Sequence, residues 1–164
     1  MAPPRADLQL DVWKNALRND LSLPHLSCIG NHDILHNDPE DGKKWAVDAL
    51  ALPARYSHVD HARWRLVFLD STMPLEGGYK GRLDDEQFQW LDALLAATPP
   101  GTHVLIISHI PILSAAVFFD GDLAKDGDWR VPGAWMHIDA QRIKDLFHRR
   151  GNVRLCLSGH LHLS

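Results

Sequence analysis

The chain has 164 residues, of which 45% are hydrophobic and 23% charged, and a formal net charge of −4. Those proportions suit one globular domain and argue against disorder, a collagen-like fibre or a coiled coil. No run of 18 apolar residues is available to cross a membrane, and the slight acidity leaves no broad cationic footprint for nucleic acid.

The opening residues Met1 to Asp11 lack the apolar stretch of a secretory signal, so the cytoplasm is the expected compartment. Leu8 to Leu21 carries apolar residues at Leu10, Trp13 and Leu17, the spacing of one helix face. Leu26 to Ile29 is a short apolar run ending at Gly30 and reads as a strand, and Gly42 to Leu50 as a helix. Arg55 to Val59 and Trp64 to Leu69 read as an antiparallel pair joined through Asp60 to Arg63. Met73 to Gly81, with its proline and three glycines, reads as loop. Asp84 is placed to cap a helix whose apolar stripe is Phe88, Leu91, Leu94 and Leu95, stopped by Pro99-Pro100-Gly101.

Val104 to Ser108 is expected to be a buried strand. Ile110 to Gly133 follows as a loop long enough to suggest a function. Within or beside it, Phe118, Phe119, Trp129 and Trp135 either stack on a substrate or fold into a lid's own apolar cluster. Ile138 to Arg150 reads as an amphipathic helix facing inward through Ile143, Leu146 and Phe147, with Gly151 as its left-handed terminator. Val153 to Leu157 is expected to be a last buried strand. Helices that each precede an apolar strand imply an α/β architecture with parallel neighbours. Cys28 and Cys156, too few for a disulfide framework, should be buried free thiols inside their strands.

The unusual count is 11 histidines, about one residue in fifteen. Three apolar runs end in the same kind of chemistry: Gly30 leads into Asn31-His32-Asp33, Ser108 into His109, and Gly159 into His160-Leu161-His162. Ligands of open α/β sheets bind outside the carboxyl ends of the strands, so these segments can share one rim. An amide oxygen with several imidazoles suits Zn, Fe, Mn or Ni. A His-x-His pair alone says little, since composition gives roughly 0.7 by chance, whereas Gly-Asn-His-Asp is expected on the order of 0.002 times. The remaining histidines, His25, His58, His61, His103, His137 and His148, are expected at the surface or at an interface, with His36 close enough to the motif to approach the site.

With Gly30-Asn31-His32-Asp33, Ser108-His109-Ile110-Pro111 and Gly159-His160-Leu161-His162 in this order, the chain resembles the calcineurin-like metallophosphoesterases. Tyr56-Ser57, Leu69-Asp70-Ser71 and Glu86 to Leu91 look like that family's bacterial phosphodiesterase branch. The resemblance runs from about residue 23 to 164. It implies a single, partial domain over 1–164. The implied fold is part of a β-sandwich flanked by helices in four α/β/β/α layers, incomplete at both ends. It further implies a two-metal hydrolase of phosphate mono- or diesters using divalent ions such as Mn, Fe or Zn, acting on a small-molecule or lipid-like phosphoester. By the same resemblance Asn31, His109 and His160 would hold one ion and His162 the other. His32 would assist the leaving oxygen and Asp33 would orient His32.

The family's opening Asp-x-His and Gly-Asp-x-x-Asp motifs are not found in the 29 residues before Gly30. Gly121-Asp122-Leu123-Ala124-Lys125-Asp126 only imitates the second, on the wrong side of His109. The expectation is therefore a truncated segment that keeps three ligands of one ion and one of the other, and hydrolyses phosphodiesters poorly by itself. An inactive remnant, or a metal-binding or interaction fragment without the bridging carboxylate, is the alternative. A mononuclear histidine-ligated hydrolase is a weaker third reading.

Overall fold

A computed structural model describes residues 4–20, 25–34, 39–75, 77–119, 124–125 and 127–162. Two helices come first, α1 (Pro4–Asp20) and α2 (Pro39–Ala49). A hairpin follows, β1 (Ser57–His61) and β2 (Trp64–Leu69), turned by Ala62 and Arg63. A second hairpin, β3 (Thr72–Leu75) and β4 (Gly78–Gly81), leads to α3 (Asp85–Ala97) and β5 (His103–Ser108). Beyond β5 lie a 3-10 helix (Ala115–Phe119), the short strands β6 (Ala124–Lys125) and β7 (Asp128–Trp129), α4 (Ala140–Arg150) and β8 (Val153–Leu157).

The main sheet has the order β1-β2-β5-β8. β1 is antiparallel to β2, while β2, β5 and β8 are mutually parallel. The mixed α/β class expected from the sequence is borne out, and so are the parallel neighbours. Each of β5 and β8 is fed by a helix, and α3 and α4 lie on the same face of the sheet. That face holds the core: Val67 and Leu69 of β2 and Val104 and Ile106 of β5, under Leu91 and Leu95 of α3 and Ile143 and Leu146 of α4. A smaller cluster of Ile29, Ile34 and Ala46 joins the 25–34 segment to α2.

Local chemistry explains the two best-formed helix ends. The Asp84 carboxylate accepts the Gln87 backbone N–H at 2.8 Å, satisfying one free donor of the first turn of α3. Gly151 ends α4 at φ 68°, a left-handed conformation that costs glycine little, and its N–H bonds the Phe147 carbonyl at 2.9 Å.

Five expectations change. Leu26 to Ile29 forms no strand, because no ladder partner runs beside it among the described residues. Met73 to Gly81 is a hairpin rather than loop: Pro74 pairs with Tyr79 in a ribbon of only two strands, where a missing donor is tolerated. The long segment after β5 is partly ordered by the 3-10 helix and by pairing of β6 with β7. β8 is largely exposed, because among the described residues it pairs only with β5, at the edge of the sheet. Leu155 and Leu157, which pair with Leu105 and Ile107 on the face away from α3 and α4, are 48% and 49% exposed. Cys156 on the same strand is exposed and Cys28 half-buried, so neither is the fully buried thiol expected, though both are free.

A buried ion network clamps the end of β2. The Asp70 carboxylate, fully shielded from solvent, takes Lys43 Nζ of α2 at 2.6 Å and Arg55 at 2.8 Å. Arg55 also reaches Asp84 at 2.9 Å. Gln87 completes the arrangement, accepting the Asp70 N–H at 2.9 Å and donating to the Asp70 carbonyl at 2.8 Å.

Candidate metal centre and its surroundings

Parallel pairing brings the carboxyl ends of β2, β5 and β8 to one rim, and the next residues of each carry the polar groups. After β5, His109 is held from both sides. Ser108 donates its hydroxyl to the Ile110 carbonyl at 2.9 Å, and the Ile110 N–H donates to the Ser71 hydroxyl at 2.9 Å. The extension of β8 is joined to that of β5 by the Gly159 N–H, 3.2 Å from the His109 carbonyl. The His160 ring also hydrogen-bonds the Ala134 backbone and meets the Tyr79 ring edge-on at 6.0 Å.

Asn31, His109 and His160 come together. His109 Nε2 lies 2.6 Å from Asn31 Oδ1 and 3.1 Å from His160 Nδ1. Donors sharing one ion at bonds of about 2.1 Å lie roughly 3.0–3.5 Å apart. The His109–His160 separation of 3.1 Å falls in that range, while the 2.6 Å between His109 and Asn31 is the shorter spacing of a direct hydrogen bond. His109 Nε2 carries at most one proton to satisfy both neighbours, and a cation among the three would engage every lone pair. An amide oxygen and two imidazoles meeting here are donors whose chemistry would suit a divalent ion. Among the described residues, no group of three His, Cys, Asp or Glu side chains is arranged to hold a metal, the third donor here being an amide oxygen.

The electrostatics favour neutral imidazoles. Burial, then the neighbouring His160, His32 and His162, push the His109 pKa down to about 4. The His160 pKa is also lowered, chiefly by burial and against the pull of its Ala134 hydrogen bond.

His32, Asp33 and His162 stand around this trio. His32 is exposed, and with Asp33 it lines a cavity of about 370 Å³ between α1, α2 and the 27–33 segment. The Asp33 carboxylate accepts the Gly30 N–H at 2.8 Å, closing the turn that presents Asn31. Burial and the nearby Asp33 raise the Cys28 thiol in the same cavity to about 11, which keeps it protonated. His162 is exposed and lines a second cavity, of about 450 Å³, together with His160. His36 and, of the Gly121 to Asp126 stretch, residues 121–123 and 126 lie outside the described residues.

Sequence reading missed Gly30 as a packing position and Ser71 as a support. Gly30 is pressed against His109, and Ser71 is fully buried with its hydroxyl holding the residue next to His109. Both lie in stretches that carry the family resemblance, Gly30-Asn31-His32-Asp33 and Leu69-Asp70-Ser71, but those motifs do not reveal the packing and support roles. His137, expected at the surface, is buried. Its Nδ1 lies 3.0 Å from Asp139, whose other oxygen accepts the Leu83 N–H.

A sequence model described as calcineurin-like phosphoesterase matches residues 5–164. A probable cyclic nucleotide phosphodiesterase of Rhodococcus erythropolis is 33% identical over 100 residues, 61% of this chain and 28% of that protein. The 3',5'-cyclic adenosine monophosphate phosphodiesterase CpdA of Vibrio vulnificus is 32% identical over 73 residues, 43% of this chain and 26% of that protein. The chain thus spans just over a quarter of the length of each of these relatives.

Proposed function

The chain belongs to the calcineurin-like phosphoesterases, and from that membership we propose that it carries part of the active site of a metal-dependent hydrolase of phosphate mono- or diesters. The observation that supports this most is the meeting of Asn31 Oδ1, His109 Nε2 and His160 Nδ1. These three residues hold one divalent ion, and His162, on the neighbouring cavity wall, belongs to a second. A divalent ion in such a site supplies Lewis acidity toward a phosphoryl oxygen and acidifies bound water near neutral pH.

The chain's own residues supply the rest. Asn31 contributes a neutral oxygen, and Asp33, by taking the Gly30 N–H, holds the turn that aims it. His109 and His160, with lowered pKa values, offer unprotonated rings at pH 7. His32, exposed and near enough to act electrostatically on His109, is the group able to hand a proton to the departing alkoxide. The substrate class is a small phosphodiester. Cyclic nucleotides are the candidates that the relatives' names suggest.

The test is a calorimetric titration of the chain with Mn²⁺ or Zn²⁺, followed by hydrolysis of an aryl phosphodiester. Asn31→Ala and His160→Ala should abolish binding and turnover together. His32→Ala should keep the metal and lose turnover by about 10²–10⁴-fold. Undiminished metal binding in Asn31→Ala and His160→Ala would remove the site assignment. Metal binding without any turnover would identify a metal-binding fragment rather than an enzyme.

A further inference from the structure

The cavity of about 450 Å³ beside His160 has no lining residue from α1 or α2, and its size is that of a small-molecule pocket. Its wall includes Tyr79, Val117, Phe119 and Trp135 together with His160 and His162. None of the described lining residues is Lys, Arg, Asp or Glu. Two of the histidines and the uncharged aromatic rings therefore line one pocket.

The aromatic side chains are held there by elements of unrelated sequence. Phe118 and Phe119 close the 3-10 helix, which Val117 anchors in the protein interior. Phe118 turns to Trp129 of β7 and packs edge-on at 5.0 Å. Phe119 is left on the cavity wall, 80% exposed, an apolar ring with most of its surface open. Trp135 sits in a turn closed by its own N–H on the Pro132 carbonyl at 3.0 Å. That turn is tied to β4 by the Gly81 N–H on the Gly133 carbonyl at 2.7 Å. β4 also carries Tyr79, so one strand positions two of the three aromatic rings.

Resting on the phosphoester reading above, we propose that Phe119, Trp135 and Tyr79 form the specificity pocket for the alcohol side of the substrate, and that they take a planar ring such as a nucleobase. Three observations select this occupant. The cavity is lined by His160 and His162 as well as by the rings, so a group filling it would adjoin a phosphate held at the proposed metal centre. Its described walls offer ring faces and edges and no charge, which suits a flat uncharged group. Phe119, 80% exposed, would gain burial when such a group stacks on it.

Binding to the 164-residue chain in the presence of Mn²⁺ is measured by calorimetry for adenosine 5′-monophosphate, ribose 5-phosphate and adenosine. The nucleotide should bind about tenfold tighter than ribose 5-phosphate, the size of effect one stacked base gives. Phe119→Ala should collapse that preference toward unity. Because Phe119 is mostly exposed, this variant leaves the fold in place. Trp135→Leu should do the same, and Trp135→Phe should restore most of the preference. Equal binding of the two phosphates by the unaltered chain would overturn the pocket, as would an unchanged preference in both Phe119→Ala and Trp135→Leu. Adenosine binding as tightly as its phosphate, with ribose 5-phosphate not bound, would uphold the ring pocket and overturn the phosphoester reading. Binding of none of the three would overturn both.

Discussion

Gly30 and His109 are in contact: a β-carbon built on Gly30 would lie 3.0 Å from Nδ1 of the His109 ring and 3.1 Å from two of its carbons. The glycine lets the turn carrying Asn31 close on the ring, so that Asn31 Oδ1 and His109 Nε2 come within 2.6 Å. The backbone of Gly30 needs no left-handed conformation; the requirement is space.

Gly30→Ala should therefore push the His109 ring by a few tenths of an ångström and spread the donor trio. Affinity for Mn²⁺ or Zn²⁺ should fall about tenfold or more, within the range seen when groups supporting a metal ligand are lost. The urea midpoint should change little by comparison. Calorimetric titration of the variant checks this, and unaltered affinity would show that the ring moves without penalty.

Asp70→Asn should be strongly destabilising. Its carboxylate is shielded from solvent and answers both Lys43 and Arg55. The neutral amide leaves two cations facing a site that can no longer balance them. Since both cations keep some solvent contact, the expected cost is about 2–3 kcal/mol, a fall of roughly 1 M in the urea midpoint. Asp85→Asn, which breaks the solvent-exposed pair with Arg142, is the control and should leave the midpoint where it was.

Asp84→Asn should change how stability depends on pH. Burial disfavours the charged form of Asp84, but the Gln87 N–H, then Arg55, outweigh it and hold the pKa below its ordinary 3.8. A carboxylate with a lowered folded-state pKa contributes stability above its unfolded value and loses it as pH falls through the folded one. At pH 7 and pH 5 the variant should thus be less stable than the unaltered chain. Below pH 4 the two should converge. Urea unfolding at pH 7, 5 and 3 gives the comparison, and a constant difference at all three would assign the effect to something other than ionisation.

Legibility from sequence followed how local each cause was. The cap at Asp84, the terminator Gly151 and the helix stripes are decided within a few residues, and α3 and α4 stand where those signals put them. Strand–helix–strand order carried the parallel pairing of β2, β5 and β8. What failed depended on distant neighbours. Leu26 to Ile29 has a strand's composition but nothing to pair with among the described residues. Leu155 and Cys156 have a core's composition but lie on an edge strand. His137 is polar, yet Asp139, two residues on, lets it stay buried. In the site, Asn31, His109 and His160 could be read from their places at the ends of apolar runs. Gly30 and Ser71 act through shape and a single hydroxyl, so no residue chemistry marked them. Phe118 and Phe119 were indistinguishable in sequence; the Trp129 contact separates their positions.

The carboxylate of Asp70 has a consequence for how the molecule opens. It ties Lys43 of α2 and Arg55 of the following segment to the last turn of chain after β2, and Arg55 carries the tie on to the start of α3. Four stretches distant in sequence thus share one knot. No one of them can detach without stranding a charge of another, so they should open together. Their amide hydrogens, followed by exchange into heavy water, should be released at one common rate set by that shared opening. Amides of the β6–β7 ribbon, which the knot does not touch, should exchange well ahead of them.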